Sequence, residues 1–104
     1  MQHVFWKGYT EQERTIFIPS LQPVISSFGD IVDFKLFSDL GMTMTIEIKE
    51  SCIDPLYIAL TAHLNMDPVN PIHSHSSRER TLFLHISFSI GRGELKVEVP
   101  AVPG

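Results

Sequence analysis

From Met42 to Lys49 the chain alternates strictly: Met42, Met44, Ile46 and Ile48 are apolar, and Thr43, Thr45, Glu47 and Lys49 stand between them. Residues 81–90 repeat the pattern, with Leu82, Leu84, Ile86, Phe88 and Ile90 on one parity and Thr81, Phe83, His85, Ser87 and Ser89 on the other. Successive side chains of a strand point to opposite faces, so a period of two marks a sheet with one buried face. These runs commit the chain to a sheet and leave the remaining elements to cover one side of it. In residues 31–38, Val32, Phe34 and Leu36 alternate with Asp33, Lys35 and Phe37, and the short link Asp39-Leu40-Gly41 predicts an antiparallel hairpin with 42–49. A first strand is expected over 2–9, where Val4 and Trp6 alternate with His3, Phe5 and Lys7 and Gly8 loosens the end. Gly91-Arg92-Gly93 predicts a turn into a last strand, 94–99, with Leu95, Val97 and Val99 inward and Pro100 ending it.

Between the strands the period changes to that of a helix. Thr10-Glu11-Gln12-Glu13 reads as a capping box. Phe17, Leu21, Val24 and Phe28 then form one helical stripe that Gly29 closes. Pro19 and Pro23 each remove a backbone donor, so the expectation is a single bent helix. A second helix is expected to start at Asp54 as N-cap with Pro55 at N1, Ile53 packing on Ile58 as a hydrophobic staple, and Leu56, Ala59, Leu60 and Leu64 buried. Residues 65–80 read as a long polar loop anchored only by Met66, Val69 and Ile72, and therefore as the most mobile ordered segment.

The length of 104 residues suits one domain, 1–104. Size scaling lets such a chain bury roughly 65% of its extended surface, enough for one core. A net charge of -4 lacks the basic footprint of a nucleic-acid binder. One cysteine excludes an intrachain disulfide framework. No long apolar run spans a membrane and no leader pattern opens the chain, so a cytoplasmic location is expected.

The order strand, helix, strand, strand, helix, strand, with an extra C-terminal strand, resembles the ferredoxin-like βαββαβ fold and, by size, its ACT-like regulatory domains. The resemblance implies an α+β two-layer sandwich with the first and third strands central and both helices on one face. The extra strand would pair with strand four at an edge. Acylphosphatases share this fold and carry a Gly-rich anion loop with an Arg after the first strand. Here that stretch is Lys7-Gly8-Tyr9-Thr10-Glu11, which argues against their chemistry.

If the helices cover the face of Val4, Phe34, Met44 and Leu84, the opposite face shows Phe5, Phe37 and Phe83 among His3, Lys35, Thr43, Thr45 and His85. Three phenylalanines on one nominally wet face point to an interface or a ligand platform, with Phe5, Phe37, Phe83 and His85 as its candidates. His73-Ser74-His75 places two imidazoles on one side of an extended chain, a weak metal signal that needs a third ligand such as Asp67, His63 or Glu79. Solvated loop histidines are the commoner reading. Cys52, two residues before the expected N-cap, has no base in a recognisable arrangement, and Arg78-Glu79-Arg80 reads as a solvated strand entry. No Walker, H-E-x-x-H or Ser-His-Asp pattern is present, and no cofactor is implied. The expectation is a non-catalytic small-molecule-binding or protein-interaction module that forms a homodimer. The alternative is an enzyme that resembles the cofactor-independent, monooxygenase-like dimeric α+β barrels. It would need a closed pocket in which groups such as His63, His85 and Tyr57 converge, with His3 and Tyr9 as further polar candidates.

Overall fold

The alternating runs form strands in the computed structural model of the chain, which describes residues 3–38 and 40–88. In chain order the elements are β1 (His3–Thr10), α1 (Arg14–Ser26), β2 (Gly29–Ser38), β3 (Gly41–Lys49), α2 (Glu50–Thr61), β4 (Asn65–Met66) and β5 (Glu79–Phe88). They make an α+β domain with a five-stranded mixed sheet in the order β2-β3-β5-β1-β4. β1 and β5 run parallel, and the other neighbours are antiparallel. Met42, Met44, Ile46 and Ile48 of β3 and Leu82, Leu84, Ile86 and Phe88 of β5 join Phe17, Leu21 and Ile25 of α1 and Ile53, Leu56 and Leu60 of α2 in one core. Both helices therefore lie on the same face. Among the described residues no helix is long and apolar enough to cross a membrane.

The ferredoxin-like order is not confirmed. It would put the first strand between the third and the last, whereas here β5 lies between β3 and β1. The burial of the strands accounts for this. β3 and β5 each bury a whole row of large apolar side chains, whereas the buried positions of β1 are Trp6, Gly8 and Thr10. The strands with the most apolar surface take the central places. With β3 on one side and β1 on the other, β5 has no edge left for the extra strand expected beside it. Residues 94–99 themselves lie outside the described residues.

α1 starts at Arg14 rather than at a Thr10 capping box. Thr10 is the buried last residue of β1, and its Oγ1 accepts the Gln12 amide at 3.1 Å. The Glu13 carboxylate instead accepts the Thr15 hydroxyl at 2.7 Å. The helix runs through Pro19 and Pro23 and buries Phe17, Leu21 and Ile25, while Val24 and Phe28 of the expected stripe are half-buried. A proline mid-helix removes a bond to the preceding turn, and packing of this stripe on the sheet offsets the loss.

α2 begins four residues before the expected N-cap, at Glu50. Its first orphan amides need no side-chain cap, because Glu50 N donates to the Arg78 carbonyl at 2.9 Å and Ser51 N to the Ser76 carbonyl at 3.0 Å. Asp54 thus sits inside the helix, where its carboxylate accepts the amides of Ile72 at 3.0 Å and His73 at 2.8 Å. Ile58 is 69% exposed, so the expected staple with Ile53 is not made.

The same contacts overturn the picture of a loop held only by scattered apolar residues. The segment 67–78 is tied along its length. Asp67 N donates to the Lys7 carbonyl and Tyr57 Oη to the Asp67 carbonyl, and the Ser74 hydroxyl donates to Glu50 Oε1 at 2.8 Å. Arg80 Nη1 donates to Glu50 Oε2 at 2.9 Å. The Arg80 hydrogen bond, followed by that of Ser74, holds the Glu50 carboxyl below its ordinary value of 4.5. Gly8 does not loosen β1. A Cβ there would stand 2.6 Å from Leu64 Cδ1 and 2.9 Å from Met66 Sδ, so its bareness lets β4 close on β1.

Two outcomes follow from these contacts. Asp54→Ala leaves two loop amides without their acceptor and is expected to lower the unfolding free energy by about 1–3 kcal/mol, read by urea denaturation; an unchanged midpoint contradicts the tie. The lowered Glu50 pKa means that its stabilisation is complete above 4.5 and is lost as pH falls below that value. The gap between the melting temperatures of wild type and Glu50→Gln should therefore narrow below pH 4.5, and a constant gap would contradict this.

Candidate functional site

The odd residues of β1 and β5 face away from the helices, and the register lines them up across the sheet. Phe5 is opposite Phe83, Phe83 opposite Thr45, and Thr45 opposite Asp33. In the next row Lys7, His85, Thr43 and Lys35 stand side by side. Phe5 and Phe83 stack with ring centroids 5.1 Å apart, and the His3 ring lies 5.3 Å from that of Phe83. His85 Nδ1 is 3.2 Å from Thr43 Oγ1, and the Phe37 ring reaches His85 with centroids 6.2 Å apart. The sequence candidates Phe5, Phe37, Phe83 and His85 thus share one open face. Phe5 is 72% and Phe37 63% exposed, while Phe83 and His85 are half-buried by their neighbours.

Strand β2 departs from the expected facing. Register shifts between Ile31 and Asp33 and between Leu36 and Ser38 interrupt its pairing with β3. Val32, expected inward, lies at the first shift and is exposed. Phe34 and Leu36 pair with Met44 and Met42 on the helix side, yet both remain exposed on this terminal strand of the sheet.

The groups that the enzyme alternative requires are separated by the sheet. Tyr57 is on α2, edge-on to Trp6 at 5.3 Å, and its hydroxyl is engaged with the Asp67 carbonyl. His85 and His3 lie on the opposite face, as does Tyr9, whose hydroxyl is 3.4 Å from Glu11 Oε2. His63 follows the end of α2 and is exposed. Among the described residues, the apolar core lies between sheet and helices.

A second feature escaped the sequence reading. A groove of about 430 Å³ runs between α2 and the long loop, lined by Asp54, Tyr57, Ile58, Val69, Pro71 and His73. The signal for it was Ile58, an apolar residue off the buried stripe of α2. The Asp54 carboxylate and Tyr57 hydroxyl in its wall are already used to hold the loop. His73 adopts φ 52°, in the left-handed region. The chain is therefore not extended there, and the regular alternation expected to put His73 and His75 on one side is broken. Among the described residues, no three His, Cys, Asp or Glu side chains come together as a metal-binding group. Cys52 is half-buried and borders a smaller pocket of about 260 Å³ with Glu47, Lys49 and Glu79.

Comparison of the chain with protein-family models, with curated proteins and with solved structures returned no match. The functional reading therefore rests on the geometry alone.

The left-handed residue gives a direct check on the loop. A non-glycine residue there carries a backbone cost of roughly 1–2 kcal/mol, part of which glycine returns through unfolded-chain entropy. His73→Gly is expected to leave the protein as stable or to stabilise it by up to about 1 kcal/mol, whereas the β-branched His73→Val should destabilise it. A loss of stability in His73→Gly would mean that the imidazole itself holds the loop.

Proposed function

We propose that the protein is a non-catalytic interaction module, and that its open sheet face packs against the same face of a second copy. The observation that supports this is the Phe5–Phe83 stack beside Phe37, a set of large rings gathered on a face that neither helix covers. Burying a phenylalanine that would otherwise be wet contributes roughly 1.5–3 kcal/mol. Association costs at least about 4 kcal/mol in lost freedom, so the rings need Thr43 and Thr45 of the neighbouring strand to complete the contact. The arrangement of a sheet with both helices on one side accords with the ferredoxin-like and ACT-like resemblance of the element order, but the reading does not depend on it. A cytoplasmic setting belongs to the same proposal.

Sedimentation velocity tests the reading. The wild type is expected to self-associate at high micromolar concentration, and Phe83→Asp or Phe5→Asp to weaken that association at least about tenfold, since each replaces a buried ring by a charge. Phe5 is already 72% exposed in the single chain, so its replacement leaves the fold intact. Association that is indifferent to both substitutions removes this face from the interface.

A further inference from the structure

The sheet has a second unsatisfied surface, its β2 edge. β2 is terminal in the strand order, and among the described residues no strand pairs with its outer side. An open strand edge presents a row of donors and acceptors that templates another strand. Between the two register shifts the strand is regular over Asp33-Phe34-Lys35-Leu36, paired with β3 on its inner side. Phe34, Leu36 and the neighbouring Val32 are all exposed at this edge.

What the edge fits follows from symmetry. Two identical antiparallel strands related by a two-fold axis pair about one central residue, so few registers are open to this segment. Centring on Asp33 sets Asp33 against Asp33, and centring on Lys35 sets Lys35 against Lys35. Like charges directly opposite are destabilising. Centring on Leu36 sets Lys35 against Phe37 and Phe34 against Ser38. Centring on Phe34 sets Asp33 against Lys35 on both sides of the axis and Phe34 against Phe34, all within the regular segment. Of the four centres within the regular segment, this one alone makes both charge and apolar surface complementary.

We propose that the chain forms a two-fold dimer in which two β2 edges pair antiparallel about Phe34. The register shifts at either end of the regular segment confine the ladder to a short stretch and stop it from extending as a fibre would. The axis stands perpendicular to the sheet, so the sheet continues across it and the open faces of both copies lie on the same side. The edge contact thus leaves the Phe5–Phe83 face free and is independent of the face-to-face reading.

The test is a charge exchange across the axis, made in the Phe83→Asp background so that only the edge is read. Asp33→Lys sets lysines opposite one another, Lys35→Asp sets aspartates opposite one another, and the double variant restores both pairs with their signs reversed. Each single change is expected to weaken dimerisation by sedimentation equilibrium about fivefold or more, and the double variant to return within about twofold of its parent. Both residues are exposed, and circular dichroism confirms that each variant is folded. A double variant as weak as the singles, singles without effect, or a parent that is monomeric throughout each overturns the proposal. Singles that lower thermal stability without changing the mass would confine the role of Asp33 and Lys35 to their own chain and overturn it too. If Phe83→Asp leaves wild-type association unchanged while the charge exchange behaves as stated, the face reading falls and the edge stands.

Discussion

The register between β3 and β5 sets Lys49 against Glu79, so the end of one central strand lies beside the start of the other. A two-residue turn joins such strands in an ordinary hairpin. Here α2, β4 and the long loop are interposed, and the chain must leave and return at the same point. That constraint brings the start of α2 against the end of the loop. The Glu50 and Ser51 amides find the Arg78 and Ser76 carbonyls because the strands have already placed them side by side. Glu50 then closes the junction through Ser74 and Arg80. With β3 filling one edge of β5, β1 occupies the other in parallel, and both helices lie on one face, so that among the described residues no helix covers the other.

Much of this was legible in the chain. The period of two over 42–49 and 81–90 identified the buried and open faces of β3 and β5 residue by residue, because one face is wholly apolar and a slip of one position would have exposed it. Phe5, Phe83 and His85 fell on the open face by the same parity. Phe37 joined them because the second register shift of β2 lies at its own position, after the alternation had run its course. The strand order was not read, although the sequence held a pointer to it. The two longest one-sided apolar rows became central, while β1, with Gly8 and Thr10 in its inner row, moved outward.

The errors have a common cause. Asp54-Pro55 has the look of a helix start because Asp caps and Pro tolerates the first turn. The cap was instead supplied by carbonyls at 76 and 78, and the Asp54 carboxylate was drawn to amides 18 and 19 residues away. Contacts of that range carry no local signal. For the same reason the loop looked loose, since its ties are backbone groups and distant side chains rather than apolar anchors. The groove beside it was hidden too, as it exists only once those ties bring Val69 and Pro71 over Ile58.

Hydrogen exchange by NMR tests the central placement of β5 most directly. Every amide from Leu82 to Ile86 has a neighbouring strand on whichever side it points, so all are expected to exchange slowly. β1 has β5 along its whole length but β4 only at Gly8 and Tyr9, so its amides from Val4 to Trp6 should alternate between slow and fast. Uniform protection across β1 with alternation in β5 would place β1 at the centre and contradict the account.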